Sequence, residues 1–153
     1  MNIFVLDLNP AKAAQYHNDR HCVKMIVETT QLLSTSIPYL EPGRAGPYKP
    51  THFNHPCAIW TRAGKGNYHW LWKLGLALCK EYTRRYGKIH KCEPYLKALK
   101  LSKPISREMT PFAQAMPEPY RHRNVIKAYR AYYVGDKRHL AKWTNRPPPP
   151  WWQ

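Results

Sequence analysis

Residues 11–36 read AKAAQYHNDRHCVKMIVETTQLLSTS, and no proline or glycine interrupts them. Largely apolar side chains recur within this stretch every three to four residues, which is the period of an α-helix with one buried face: Val23, Ile26, Val27, Thr30 and Leu33. Asn9-Pro10 stands just before it, a capping residue followed by a proline at a first helical position. The stretch therefore predicts one long amphipathic helix.

Two further main helices are predicted in the rest of the chain. The first is centred on residues 67–86, where an apolar stripe ends and Gly87 suits a C-terminal cap. The second runs from Asn124 to about Trp143, and residues 93–101 predict a short additional helix. The opening Ile3-Phe4-Val5-Leu6 is apolar and β-prone, but strict alternation is nearly absent from the chain.

Prolines separate these helical stretches. Residues 37–56 contain five prolines and two glycines and predict a loop, and proline-bounded segments follow at Lys103-Pro104 and Met116-Pro117-Glu118-Pro119. Residues 146–153, RPPPPWWQ, predict a polyproline tail that ends in two tryptophans. We expect an all-α fold, with residues 1–153 forming a single compact domain of three main helices joined by long proline-rich loops.

Charge is the strongest feature of the composition. The 153 residues carry 25 Lys and Arg against 9 Asp and Glu, a formal net charge of +16. This excess excludes an ordinary neutral enzyme surface and favours a polyanionic partner, most commonly nucleic acid. An aromatic content of 13% is too high for a disordered basic tail. No run approaches the roughly 18 apolar residues of a membrane span, so we expect a cytoplasmic monomer without a membrane partner.

Several motifs that would indicate a cofactor or metal are missing. The four cysteines form no C-x-x-C pair, which favours reduced thiols over a zinc ribbon or a redox site. The chain has neither of the glycine-rich phosphate-binding motifs and no G-x-S-x-G nucleophile elbow. The sequence predicts no cofactor and no metal in its leading interpretation.

A polar stripe runs along one side of the first predicted helix, at spacings of three, one, three, four and three residues: His17, Arg20, His21, Lys24, Glu28 and Gln31. A solvated helix face would explain such a stripe. The mixture of two imidazoles, two cations and one carboxylate is unusual for that role, however, and it favours a functional surface.

Carboxylates are scarce near the N-terminus. Asp7, Asp19 and Glu28 are the only ones in the first forty residues. An acid or base that works close to the chain start must therefore be one of these three. Cationic surroundings favour the ionised carboxylate, which suits the stabilisation of a developing cation better than proton donation.

A metal site is an alternative use of the same stripe. His17 and His21 have the one-turn spacing that lets two imidazoles bind one ion, and His52, His55 and Cys57 are candidates to complete the site. No glutamate lies between the two helical histidines as it does in the zincin pattern. A structural role, in which each ring bonds a backbone carbonyl, also explains these histidines.

Residues 54–70 interleave aromatic side chains with cations, as proteins that stack on bases and follow phosphates do. We expect Trp60, Tyr68 and Trp70 to lie in the core. Further basic clusters extend the predicted surface over the rest of the chain. The predicted DNA contacts are His17, Arg20, His21, Lys24, His55, Arg62, Lys65, Arg84, Arg85, Lys88, Arg121, Arg123, Lys137 and Arg138.

The order of these features resembles the small all-α pyrimidine-dimer DNA glycosylases with AP-lyase activity that are found in phages and bacteria. The matching pieces begin with Met-Asn-Ile-aromatic-x-Leu, the striped helix that reaches Glu28 and Gln31, and His55-Pro56 ahead of Arg62. They continue through residues 81–88, EYTRRYGK, then Pro117-Glu118 before Tyr120-Arg121, and a last helix that runs into the proline and tryptophan tail. The resemblance covers nearly the whole chain in outline.

This resemblance implies a specific chemistry. In that family the N-terminal α-amine attacks the sugar C1′ of the damaged nucleotide, expels the base and forms an imine, which then permits strand cleavage by β-elimination. A useful fraction of such amines is uncharged and nucleophilic near pH 7. The resemblance implies Glu28 as the partner carboxylate, with Asp19 as the second choice, and duplex DNA that is kinked with one nucleotide extruded.

The identity of the nucleophile stays open between two residues. The family's best-known form exposes a small second residue after removal of methionine, whereas Asn2 is bulky enough for Met1 to remain. Two other functions also stay open: a non-catalytic basic DNA-binding protein, and a metal-dependent nuclease or base-modifying enzyme that uses His17 and His21.

Overall fold

The computed structural model describes residues 1–103 and 105–153 of the chain. Its helices are α1 (Pro10–Tyr16), α2 (Asp19–Leu40), α3 (Pro56–Arg62), α4 (Lys65–Tyr86), α5 (Glu93–Ala98) and α6 (Val125–Asp136), with short 3-10 turns at Glu118–Tyr120 and Arg138–Leu140. These residues contain no β-strand, and the all-α class is confirmed. The predicted proline break at Pro104 lies outside the described residues.

The long first helix of the sequence prediction is two helices. α1 ends at Tyr16, and His17 leaves the helix with an extended backbone at ψ 132°. Asn18 then caps α2, and its side-chain oxygen accepts a hydrogen bond from the backbone of His21 at 2.9 Å. Apolar periodicity continues across this two-residue break and therefore did not reveal it. As a consequence, His17 is not on the helix that carries Glu28.

The ends of two other helices differ from the prediction. α2 continues through Pro38 to Leu40, because Ile37 remains fully buried and a proline in the last turn removes only one helical hydrogen bond. α6 ends at Asp136 instead of near Trp143, and a 3-10 turn follows it. The end of α4 is as predicted: Gly87 adopts the left-handed conformation at φ 69° and its N–H bonds the carbonyl of Thr83.

The opening residues form a buried extended segment without a strand partner among the described residues. Ile3, Phe4, Val5 and Leu6 are each at most 4% exposed. The Phe4 ring is enclosed by aromatic rings of α2 and α6: His21, Tyr129, Tyr132 and Tyr133. This burial stabilises the segment and fixes the start of the chain against α2.

The core lies mainly between the two 22-residue helices. α2 packs against α4 and α3, and α1 packs on α4. At Gly75 an added Cβ would lie 2.9 Å from Leu96 and 3.0 Å from Thr29, so this glycine permits the close approach of the packed elements. The expectation that Trp60, Tyr68 and Trp70 belong to the core is confirmed, because each is at most 6% exposed.

The proline and tryptophan tail is docked on the helices. Trp151 packs edge-on against Tyr16 and Tyr133, and Trp152 packs against Trp143. The Arg146 guanidinium donates hydrogen bonds to the Glu81 carboxylate on α4. The tail therefore adds packing and charge pairing to the junction between α1 and α2.

None of the helices within residues 1–103 and 105–153 combines the length and the apolar character needed to cross a bilayer.

Candidate active site at the chain start

The N-terminal amine lies beside the carboxylate of Glu28. The Met1 nitrogen is 3.4 Å from Glu28 Oε1, and the backbone N–H of Asn2 donates to the same oxygen at 3.1 Å. The Met1 side chain is 3% exposed while the residue as a whole is half-buried, so its accessible surface is mostly main chain. The main chain of Met1, and not its side chain, is thus the part that solvent reaches.

The side chain of Asn2 fixes the position of the amine. Its amide nitrogen donates to the carbonyl of Ala115 at 2.9 Å, and its oxygen accepts from the hydroxyl of Tyr129 at 2.9 Å and from the backbone of Ile3 at 2.8 Å. These partners come from three separate parts of the chain. They hold the first peptide rigidly, which keeps the neighbouring amine next to Glu28.

Two cavities meet at the amine. One has a volume of about 340 Å³ and polar walls, and the other has a volume of about 460 Å³ and is lined in part by Val23 and Val27 of α2. Met1, Lys24 and Glu28 line both cavities. The remaining walls of the polar cavity are Asn2, Phe4, His21, Met25, His55, Ala115, Tyr132 and Lys137.

His21 is a neutral ring in the wall of the polar cavity. Burial, together with the nearby His17 and Lys137, lowers its pKa to about 3. Its Nδ1 lies 2.7 Å from the hydroxyl of Tyr133, which itself accepts a hydrogen bond from the backbone of Asn18. Nδ1 and the Tyr133 hydroxyl share this hydrogen bond, in which either atom can be the donor. This ring can donate one hydrogen bond and carries no charge.

His55 occupies the opposite wall as the cap of α3. Its Nδ1 accepts a hydrogen bond from the backbone of Cys57 at 3.0 Å. Burial lowers the pKa of this ring, and the nearby N-terminal charge lowers it further. His55 therefore adds a second uncharged imidazole close to the amine.

His17 lies behind the site and not in it. It is fully buried, its Nδ1 donates to the carbonyl of Ala13 at 2.6 Å, and burial lowers its pKa to about 4. Nowhere in the described part of the chain do three His, Cys, Asp or Glu side chains come together in a way that could hold a metal ion. The proposed ligand set of His17 and His21 with His52, His55 and Cys57 is therefore not assembled.

Asp19, the second candidate acid, is engaged elsewhere. Its carboxylate accepts from Arg85 at 3.1 Å and from the backbone of Thr144 at 2.9 Å. Arg85 also binds Glu81 at 3.0 Å, and its side chain is fully buried. Arg85 was predicted to contact DNA, but it has no exposed surface with which to bind a phosphate, because it is enclosed by these two carboxylates.

The other predicted DNA contacts fall into two groups. Near the amine, Lys24 is exposed with its Nζ 3.7 Å from Glu28 Oε2, and Lys137 lines the polar cavity. An adjoining hollow of about 630 Å³ is lined by Arg121 and Arg123 along with Pro56 and Phe112. Six other predicted contacts do not line the polar cavity: Arg20, Arg62, Lys65, Arg84, Lys88 and Arg138.

Sequence reasoning missed four parts of the cavity wall: Phe4, Met25, Ala115 and Tyr132. Phe4 carried only the signal of an apolar opening segment. Tyr132 lies on the last predicted helix, and nothing in its spacing linked it to the N-terminus. The backbone carbonyl of Ala115 carries no sequence signal at all.

Comparison with known families agrees with this geometry. A family model described as pyrimidine dimer DNA glycosylase matches residues 1–94. The matched region is more than half of the 153 residues and contains the amine, Glu28 and both cavity histidines. Searches of curated proteins and of solved structures gave no match. The resemblance expected from the sequence is confirmed, and DNA is the class of substrate: the chain belongs to the pyrimidine dimer DNA glycosylase family.

Proposed function

We propose that this enzyme is a DNA glycosylase with AP-lyase activity on damaged or modified pyrimidines in duplex DNA, and that the amine of Met1 is its nucleophile. The observation that carries the proposal is the 3.4 Å separation between that amine and Glu28 at the meeting point of two cavities. An amine placed beside a carboxylate that can take up its proton is suited to attack an electrophilic sugar carbon.

The first step exchanges one bond at C1′ for another. The uncharged amine forms a bond to C1′ while the N-glycosidic bond breaks, and the departing base takes that electron pair together with a proton. Glu28 stabilises the positive charge that develops on the sugar and accepts a proton from the nitrogen. The C1′–O4′ bond then breaks, O4′ takes its electron pair and the proton held by Glu28, and the nitrogen lone pair forms the protonated imine between the Met1 nitrogen and C1′.

The second step cleaves the strand. The protonated imine acidifies the C2′ hydrogen, a base removes that proton, and the C3′–O bond breaks to release the 3′ phosphate as the leaving group. Glu28 is the carboxylate within reach of the imine nitrogen. The neutral imidazoles of His21 and His55 line the same space and add no positive charge to oppose the cationic intermediate.

DNA is held by the cations that surround the cavity. Lys24 and Lys137 stand at its wall, and Arg121 and Arg123 line the hollow beside it. We propose that these side chains bind phosphates of a kinked duplex from which the damaged nucleotide is extruded. The uncharged imidazole of His21 offers a hydrogen-bonding nitrogen to the extruded nucleotide without competing for phosphate.

Borohydride trapping tests this mechanism. The purified enzyme is incubated with an abasic duplex and sodium borohydride, and the adduct is digested and analysed by mass spectrometry. We expect a covalent enzyme–DNA product on the peptide that begins with Met1, and intact mass reports whether Met1 is retained. Acetylation of the amine should abolish trapping. A protein that cleaves abasic DNA equally well after acetylation, without any adduct, would contradict the imine mechanism.

A further inference from the structure

A tight turn projects next to the amine from the loop between α2 and α3. The backbone N–H of His55 donates to the carbonyl of His52 at 2.9 Å, which closes a four-residue turn with Phe53 and Asn54 at its tip. His52 lines the cavity of about 460 Å³ and His55 lines the polar cavity of about 340 Å³. Phe53 and Asn54 are therefore each next in sequence to a residue that lines one of the two cavities at the amine.

The tip is an exposed aromatic residue with a rigid support. Phe53 is 38% exposed, although a phenylalanine is more stable when buried. The guanidinium carbon of Arg62 lies 3.7 Å from the centre of its ring, and Arg62 Nη1 donates to the Phe53 carbonyl at 2.7 Å. The ring of Tyr39 lies 5.3 Å away on α2. Arg62 thus holds both the ring and the backbone of this residue.

The backbone of the turn is also anchored and strained. His52 has φ 52°, a conformation that is uncommon for residues other than glycine. Just before it, Thr51 exchanges two hydrogen bonds with the Thr35 hydroxyl on α2, at 3.0 and 3.1 Å. α2 therefore carries the turn as well as Glu28. Strain of this kind persists where the surrounding structure fixes a functional conformation.

We infer that Phe53 is a wedge that enters the duplex beside the extruded nucleotide and stacks on the adjacent base pair. This inference rests on the proposed function. Extrusion of a nucleotide leaves a gap in the base stack, and inserted apolar side chains stabilise such kinks in DNA. Duplex DNA is the occupant that fits, since His52 and His55 of this turn line the cavities at the amine of a DNA glycosylase and the cationic Arg62 lies against the Phe53 ring.

Arg62 acquires a different role from the phosphate contact that the sequence predicted. Its guanidinium lies against the Phe53 ring and its Nη1 is used by the Phe53 carbonyl. It is a positioning residue that orients the wedge. Leu8 and Ile89, which are 59% and 69% exposed, are also apolar but lie outside the turn that joins His52 to His55, so they serve as controls.

The test compares Phe53→Ala, Phe53→Trp and the control Ile89→Ala on two kinds of DNA. The first is a duplex with an abasic site and 2-aminopurine in the neighbouring base pair, which reports stacking on binding alone. The second is a single-stranded abasic oligonucleotide, in which no base stack has to be opened. Melting temperatures verify that each variant is folded.

We expect Phe53→Ala to lose most of the 2-aminopurine signal and to cleave the abasic duplex at least tenfold more slowly. Its borohydride trapping on the single strand should stay within twofold of the wild type, and Phe53→Trp should restore both duplex readouts. Unchanged signal and duplex rate in Phe53→Ala would overturn the wedge, as would equal losses on duplex and single strand. Absence of any adduct with the wild type would instead refute the imine mechanism, and the binding signal would still test the wedge.

Discussion

Two carboxylate clusters involve α2, one at its first residue, Asp19, and the other nine positions later at Glu28. They differ in how completely their oxygens are bonded. Asp19 and Glu81 are held by the guanidinium groups of Arg85 and Arg146 and by Thr144. Glu28 has the N-terminal amine, one backbone N–H and the exposed Lys24 around it, and it lines two cavities. The first cluster is closed and structural, whereas the second remains open to a substrate.

This difference separates the two acids that sequence reasoning left as alternatives. A carboxylate whose acceptor sites are filled by buried donors cannot rearrange without losing those bonds. Glu28 faces the cavity, and its oxygens have the Met1 amine, the Asn2 N–H and the exposed Lys24 as partners. We therefore propose that Glu28 takes part in the chemistry and that Asp19 stabilises the fold, and each proposal can be tested.

The largest expected effect is on catalysis by Glu28→Gln. We expect cleavage of an abasic duplex to fall by at least about 100-fold, because the amide cannot stabilise the cation or accept the proton. Affinity for DNA should be unchanged or higher, since a negative charge next to the phosphates is removed. Cleavage assays and binding titrations measure the two quantities separately.

Glu93→Gln is the matched control for that variant, because Glu93 forms an exposed pair with Lys97 on α5, with its oxygen 3.4 Å from Lys97 Nζ. It should retain wild-type cleavage. If Glu28→Gln is as active as Glu93→Gln, the chain is a DNA-binding protein without this carboxylate chemistry, or Asp19 is the acid.

The next largest effect is on folding, in the closed cluster. Arg85→Ala leaves the carboxylates of Asp19 and Glu81 without their shared buried cation, and we expect it to lower the free energy of unfolding by about 3–5 kcal/mol. Cleavage per folded molecule should be little changed. Chemical denaturation of this variant and of the exposed neighbour Arg84→Ala measures the difference. A loss of activity at full stability would make Arg85 part of the DNA interface after all.

Acid sensitivity tests the buried histidines between the two clusters. The folded-state pKa values of His17 and His21 are lowered to about 4 and about 3, so the unfolded chain binds protons first as the pH falls below about 6.5. Their contribution to stability is complete above pH 6.5 and is lost as the pH falls toward 4, by up to about 1.4 kcal/mol per pH unit for each.

Denaturation curves at pH 7.5, 6 and 5 measure this slope. His55, His69 and His90 add to it with the same sign, because burial lowers the pKa of each ring. Glu41, whose pKa is lowered to about 2 through its bond to Arg44, begins to contribute only below about pH 4.5. Constant stability down to pH 5 would show that these rings are not kept neutral by burial.

The smallest effect is expected from Lys24→Ala at the open cluster. Its ion pair with Glu28 is 3.7 Å long and the side chain is 65% exposed, so the free energy of unfolding should change by less than about 0.5 kcal/mol. The slope of log DNA affinity against log salt concentration should become shallower by about 1, the amount expected for one lost phosphate contact. An unchanged salt slope would place the phosphate backbone away from this part of α2.

Local signals predicted the helical parts that depend on neighbouring residues. Gly87 marked the end of α4, and Asn9-Pro10 marked the start of α1. The break at His17 was not predicted because the apolar period runs through it and because the only local sign of a new helix is the capping bond between Asn18 and His21. The apolar period predicted that residues 11–36 are helical, whereas their division into α1 and α2 depends on packing against the rest of the molecule.

The candidate site was predictable only in part. The scarcity of carboxylates and the family resemblance indicated Glu28, but the choice against Asp19 required Arg85 and Thr144, which are 66 and 125 positions away. The contacts of Asn2 with Ala115 and Tyr129 span 113 and 127 positions. No spacing rule reaches that far, so these parts of the site depend on the fold.

The grip on Asn2 has a consequence for how the enzyme can be inactivated. Its holders, Ala115 and Tyr129, lie beyond the residues that the family model matches. A proteolytic cut or a transient opening of the C-terminal third would free the first peptide. The Met1 amine would then move away from Glu28, although both groups would still be chemically intact. Damage more than a hundred positions along the polypeptide would thus inactivate the amine at its start.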